Sequence, residues 1–216
     1  MSPDHTRVAM VDDHEMFVDL LGQRLAQEPD IEVVATAGTG AAALATIPAD
    51  VDVVLCDYHL PDTDGVTLTE ALLAAIPSAH VLMLTSSGDD TVLIRAISAG
   101  CSGFVSKTAP LDDVTDGIRA AAAGESIITP DELASVLTRV AARAKSDDPL
   151  TPREHDVLEQ MARGRSNQDI AATLYVAVDT TRNHVSSILR KLESHSKLEA
   201  VVTAARRGLI DLGPPD

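Results

Sequence analysis

The stretch Val8-Ala9-Met10-Val11-Asp12-Asp13 decides the fold. Four apolar residues in a row suit a short strand buried on both faces. The acid pair that stops them marks where the strand leaves the core. The same texture recurs at 31–36, 51–56, 81–85 and 103–105. Between these runs lie segments with helical spacing, such as Phe17/Leu21/Leu25, Leu68/Leu72/Ile76, Leu93/Ile97 and Val114/Ile118/Ala122. Five strands alternating with five helices predict an α/β fold with a doubly wound, five-stranded parallel sheet.

Polar residues stand where these apolar runs end. Asp12 and Asp13 follow the first strand and Asp57 the third; Thr85 ends the fourth and Lys107 follows the fifth. Open α/β sheets bind ligands beyond the carboxyl ends of their strands, so these five side chains are expected on one rim. Three carboxylates at close quarters repel one another and call for a cation. Hard oxygen donors suit Mg²⁺. A carboxylate can attack phosphorus to give an aspartyl phosphate. The metal and Lys107 would neutralise the phosphoryl oxygens, and Thr85 would donate a hydrogen bond.

The chain has 216 residues, 45% of them hydrophobic, which fits one large or two small globular domains. Only four residues are aromatic, which argues against an aromatic-lined ligand pocket. No apolar run reaches the ~18 residues of a membrane span. The start, Met1-Ser2-Pro3-Asp4, lacks a basic and then apolar leader, so a cytoplasmic protein is expected. Cys56 and Cys101 lie in apolar stretches and read as buried thiols in a reducing compartment. The net charge of −16 is uneven: residues 1–130 carry −15, whereas 182–207 carry +4. Such asymmetry points to two domains with different partners, and a local basic face suffices for DNA. The polar run at 143–149, ending in Pro149, marks the boundary.

The second half reads as helices. Thr151-Pro152-Arg153-Glu154 has the form of a capping box with proline at the first helical position. Gly164 stops that helix and Ser166 opens the next. Val185, Ile188, Leu189 and Leu192 mark a third helix, with Arg182, Asn183, Ser186 and Arg190 at polar positions. A fourth carries Leu198, Val201 and Val202. Two short helices, a turn and a basic, polar-faced helix describe a helix-turn-helix.

The segments Val11-Asp12-Asp13-His14-Glu15, Cys56 through Gly65, Thr85-Ser86-Ser87 and Gly103-Phe104-Val105-Ser106-Lys107 resemble a response-regulator receiver domain over roughly residues 6–124. The resemblance implies a flavodoxin-like sheet of order 2-1-3-4-5. It implies that Asp57 accepts phosphate from a histidine kinase and that Asp12, Asp13, Asp57 and the carbonyl of His59 hold Mg²⁺. Thr85 and Phe104 would form the switch pair. Residues 149–210 resemble a LuxR-type DNA-binding domain, and the whole chain is similar to a NarL/FixJ-type response regulator. The domains then run 1–125 (receiver), 126–148 (linker with an interdomain helix opened by Thr129-Pro130-Asp131-Glu132) and 149–216 (helix-turn-helix). By the same resemblance, Arg182, Asn183 and Ser186 face bases in the major groove of promoter DNA, and Asn167, Thr180, Arg190 and Lys191 hold phosphates. Leu198, Val201 and Val202 read either as plain core or as contacts to a second copy in a homodimer, formed on phosphorylation or on DNA.

Three features depart from the commonest family pattern. Thr108 rather than proline follows Lys107, Phe104 replaces the usual tyrosine, and Ala177 stands where the recognition helix usually has a serine cap. Asp179 could cap that helix if it began later. His59 and Ser87 fall where the family tunes hydrolysis of the phosphoryl group.

Blander readings apply elsewhere. His5, His80, His155 and His195 read as surface residues, and His14 as local structure rather than a ligand. Met10, Met16, Met83 and Met161 read as core, and Asp112-Asp113 as a solvated helix start. Other functions fit less well. An aspartate-nucleophile phosphatase of the haloacid dehalogenase type needs Asp-x-Asp, but Tyr58-His59 follows Asp57. A small-molecule sensor would want an aromatic pocket, and a receiver controlled only by protein contacts would not need all five rim residues.

Overall fold

Five parallel strands form the centre: β1 (Thr6–Val11), β2 (Ile31–Ala37), β3 (Val53–Asp57), β4 (His80–Thr85) and β5 (Gly103–Ser106). Their order is β2-β1-β3-β4-β5, as the family resemblance implied. The computed structural model describes residues 5–85, 90–129, 132–134, 136–137 and 150–210. Val8, Ala9, Val53, Val54, Leu55 and Cys56 have no exposed surface. Burial on both faces explains why the central strands lack an apolar–polar alternation. Crossover helices α1 (Glu15–Leu25), α2 (Gly40–Thr46), α3 (Gly65–Ala75), α4 (Asp90–Ser98) and α5 (Leu111–Ala122) cover the sheet.

Local chemistry sets the helix starts. Thr39 caps α2 by accepting from the Ala42 N–H, and Asp64 caps α3 by accepting from Thr67. Gly65 has a tertiary role: a Cβ there would run into the Asp57 carbonyl oxygen. Asp57 itself is the last residue of β3 rather than the first beyond it.

The second half contains α6 (Pro152–Ala162), α7 (Asn167–Leu174), α8 (Val178–Leu192) and α9 (Lys197–Arg206). The capping box at Thr151 and Glu154 forms as expected, and Ser166 caps α7. Gly164, at φ +70°, closes α6. The cap reading for α8 is corrected. Ala177 is the cap residue and offers no side-chain bond, while Asp179 already lies inside the helix and pairs with Arg182 at 3.1 Å. Starting at Val178 buries Thr181 and Val185 in one apolar stripe, and a later start would forfeit a helical turn.

One apolar core joins the two halves. Leu93 and Ile97 of α4 pack with Leu133, Val136 and Leu137 and with Leu198, Val201 and Val202 of α9. Each such side chain contributes roughly 1.5–3 kcal/mol when fully buried. Polar bonds frame the seam. Ser196 Oγ donates to the Cys101 carbonyl at 3.0 Å, and Arg206 donates to Ser98 Oγ at 2.7 Å. Gly100, at φ +98°, lets the turn after α4 pass close to Leu73 and His195. Within the expected interdomain helix, residues 132–134 and 136–137 are helical. The boundary run at 143–149, Ser86 and Ser87 lie outside the described residues.

Three burial expectations fail, and one of them is His155, which is half-buried on α6. Met16 is 83% exposed, because α1 turns Met16 and Leu20 outward while Leu21 and Leu25 face the sheet. His80 is half-buried at the start of β4, next to Ser102, and burial lowers its pKa. Cys56 and Cys101 are buried free thiols, and burial pushes Cys101 up to about 12.

Candidate phosphoacceptor site and DNA-binding face

The strand ends gather the predicted rim. Asp12 and Asp57 are buried, at 2% and 4% exposure, whereas Asp13 is exposed. Lys107 joins the two buried acids: its Nζ lies 2.6 Å from Asp12 Oδ2 and 2.8 Å from Asp57 Oδ2. The Lys107 N–H donates to the Thr85 carbonyl at 2.9 Å, so the ends of β4 and β5 fix where the ammonium stands. Burial works against the lysine's charge. The hydrogen bonds of Asp12 and Asp57 outweigh it and hold the Lys107 pKa above its ordinary value. The Lys107 Nζ also stands over the Phe17 ring, 5.3 Å from its centroid.

Three carboxylates against one ammonium leave excess negative charge in a partly buried corner. Like charges ~4 Å apart repel by about 4 kcal/mol at a near-surface effective dielectric. Asp12 Oδ2 is buried and, apart from its ion pair with Lys107, accepts no well-directed hydrogen bond among the described residues. An oxygen-rich corner with a spare buried lone pair fits a hard divalent cation.

His14 shows more than sequence reasoning found. Its N–H donates to Asp12 Oδ1 at 2.9 Å, and its Nδ1 lies 3.0 Å from that oxygen and 2.9 Å from Asp13 Oδ1. The candidate ligand atoms of Asp12, Asp13, His14 and Asp57 all fall within 4.8 Å of one another. Adjacency to the acid pair was the one available signal. The His59 ring is exposed and sits edge-on to Tyr58, outside that group.

Thr85 is half-buried at the end of β4. The Phe104 ring is half-buried and packs against the cluster of Ala96, Ala99 and Cys101 as well as the core that joins the two halves. The expected switch aromatic therefore touches both α4 and the interdomain seam. The peptide bond after Lys107 is trans.

On α8, Arg182, Asn183, Ser186 and Arg190 are exposed, as is Thr180. Thr181, Val185, Ile188 and Leu192 face inward. The receiver leaves this polar face uncovered. Lys191 has another partner: its ammonium lies 2.6 Å from the buried Glu154 carboxylate. That carboxylate also accepts from Thr151 N–H and Ser187 Oγ, each at 2.7 Å. Burial opposes its charge, but these bonds bring Glu154 down to about 2. Asn167 is 4% exposed, and its N–H donates to Glu125 at 3.0 Å. Leu198, Val201 and Val202 are covered by α4 of the same chain.

Comparison with known proteins agrees with this geometry. Residues 8–119 match the description "Response regulator receiver domain" and 148–204 match "Bacterial regulatory proteins, luxR family". Response regulator protein VraR of Staphylococcus aureus is 37% identical over 205 residues, 94% of this chain and 98% of that protein. The solved structure of response regulator ChrA, from a heme-sensing two-component system, has 32% identity and a TM-score of 0.52, covering 96% of this chain and all of that one. RcsB of Salmonella enterica serovar Typhimurium, solved on promoter DNA with a phosphomimetic, has 23% identity and a TM-score of 0.54 over 94% and 99% of the two chains, a likeness of fold alone. With both halves matched in this order and a relative at this identity along nearly the full length, the chain belongs to the NarL/FixJ-type response regulators, DNA-binding regulators rather than conventional enzymes, with a receiver domain followed by a LuxR-type helix-turn-helix domain.

Proposed function

We propose that Asp57 is the phosphoacceptor of a two-component system and that its modification controls promoter binding by the second domain. The carrying observation is the Lys107 ammonium held between Asp12 and Asp57 at the strand ends. A carboxylate oxygen of Asp57 bonds to the phosphorus of a kinase phosphohistidine. The phosphorus–nitrogen bond breaks, and its electron pair leaves on the imidazole, which takes up a proton. Lys107 stands where it can neutralise a phosphoryl oxygen, and the Thr85 hydroxyl supplies a donor. Asp12, Asp13, Asp57 and the His59 carbonyl would hold Mg²⁺, which screens the phosphoryl charge when bound.

The output follows from the seam. Phe104 packs against α4, and α4 covers Leu198, Val201 and Val202. Pairing of two chains through that stripe of α9 requires α4 to withdraw. Phosphorylation favours the withdrawn state, and the dimer then presents two copies of Arg182, Asn183 and Ser186 to paired half-sites. Thr180 and Arg190 flank that face as phosphate contacts. The partners are a sensor histidine kinase, double-stranded promoter DNA and a second copy of the chain. No helix among the described residues is long and apolar enough to cross a membrane, and we place the protein in the cytoplasm.

The test is mobility in a phosphate-affinity gel after incubation with Mg²⁺ and a small acyl phosphate. Wild type is expected to shift, and Asp57→Asn or added chelator to abolish the shift. No shift of wild type with any donor would remove the phosphoacceptor reading.

A further inference from the structure

The receiver carboxylate of Glu125 reaches across the seam into the second domain. Its Oε1 accepts from the Asn167 N–H at 3.0 Å, and its Oε2 accepts from Lys197 Nζ at 2.8 Å. Asn167 is the first residue of α7, so its N–H is one of the unpaired donors at a helix N-terminus, where the dipole favours an anion. Lys197 is only 3% exposed and is anchored within its own domain by the Arg165 carbonyl at 3.1 Å. The cradle is thus built by the helix-turn-helix domain itself and filled by the receiver. Beside it lies a cavity of about 210 Å³ lined by Glu125, Arg165, Ser166 and Lys197. The Asn167 Oδ1 is itself buried without a hydrogen-bond partner among the described residues.

An ammonium and a helix-terminal N–H, set to receive two oxygens bearing one negative charge, also match a phosphodiester. In a helix-turn-helix the first helix crosses the DNA backbone. We propose that Glu125 is an internal substitute for a DNA phosphate: the Asn167–Lys197 cradle holds either the receiver carboxylate or a backbone phosphate, and never both. This rests on the DNA-binding reading above. It also explains how the receiver can restrain the second domain while leaving Arg182, Asn183 and Ser186 exposed. The restraint removes a phosphate anchor and leaves the base-reading face open. Separation of the domains returns the anchor.

The test uses the full, unphosphorylated chain and a fluorescein-labelled duplex of mixed sequence, followed by anisotropy over a salt series. Glu125→Gln keeps size and removes charge. It is expected to tighten binding about tenfold, the scale of one charge-assisted hydrogen bond. It should also steepen the slope of log K against log salt by about 0.9, one added phosphate contact. Adding Lys197→Gln should return both values to wild type. Should that buried substitution lower the melting temperature, the salt slope of Glu125→Gln alone decides. Unchanged affinity overturns the proposal, as does tighter binding at an unchanged slope, which would make Glu125 a plain interdomain latch. Wild-type binding that falls with Arg182→Ala but ignores Glu125→Gln overturns the cradle alone. Absence of duplex binding by every form, acyl-phosphate-treated protein included, overturns the DNA-binding reading with it.

Discussion

Each domain buries a carboxylate against a lysine, and the two sites serve opposite ends. In the second domain, Glu154 meets Lys191 at 2.6 Å, and its oxygens also take the Thr151 N–H and the Ser187 hydroxyl. Charge and hydrogen bonds balance there, and the group pins α8 to the start of α6. In the receiver, one ammonium faces Asp12 and Asp57 with Asp13 nearby, and a buried oxygen of Asp12 keeps a lone pair to spare. Charge does not balance there. A saturated ion pair stabilises a fold, whereas an under-neutralised one attracts a cation and leaves an oxygen free to react.

Substitutions can break that contrast. The largest effect is expected from Lys107→Ala, which should slow labelling by an acyl phosphate ~100- to 1000-fold, as loss of one preorganised donor to a developing charge does. Labelling near the wild-type rate would mean that Lys107 only relieves repulsion. Glu154→Gln should leave labelling unchanged and cost about 2–3 kcal/mol in urea unfolding, the scale of breaking a buried charge-assisted bond. Reduced labelling would erase the distinction between the sites.

The pH response sharpens it further. The Glu154 carboxyl is lowered from 4.5 to about 2 in the folded chain. Its contribution is therefore complete above pH ~4.5 and lost as pH falls towards ~2. Acid melting followed by circular dichroism should show this loss in wild type and a smaller one in Glu154→Gln. The smallest effect belongs to α8: Ala177→Ser should add about 1 kcal/mol by supplying the missing cap. No gain in melting temperature would show that the cap oxygen cannot reach the Thr180 N–H.

Much of the receiver was legible because its signals are local and repeated. An apolar run ended by acids, then three of the four further runs closing on Asp57, Thr85 and Lys107, places a rim without any knowledge of packing. Thr151-Pro152-Arg153-Glu154 likewise names its own helix start. The misreadings share one cause. Met16 looks like core by composition, yet the rotation of α1 decides which apolar stripe faces the sheet. Asp179 looks like a cap, yet the stripe of Thr181 and Val185 sets where α8 begins. Lys191 reads as a phosphate contact by its place on a basic helix, and the fold adds a partner that no short window announces, Glu154, 37 residues away.

Periodicity, turn chemistry and spaced motifs specify the succession of strands and helices, the five rim residues and the two-domain plan. What Leu198, Val201 and Val202 pack against, where Asn167 donates and what Glu125 holds emerge only in the assembled fold. Those facts depend on surfaces from distant segments meeting across one seam. Burial, not local preference, sets the energy there, and no short window of residues contains both sides of the contact.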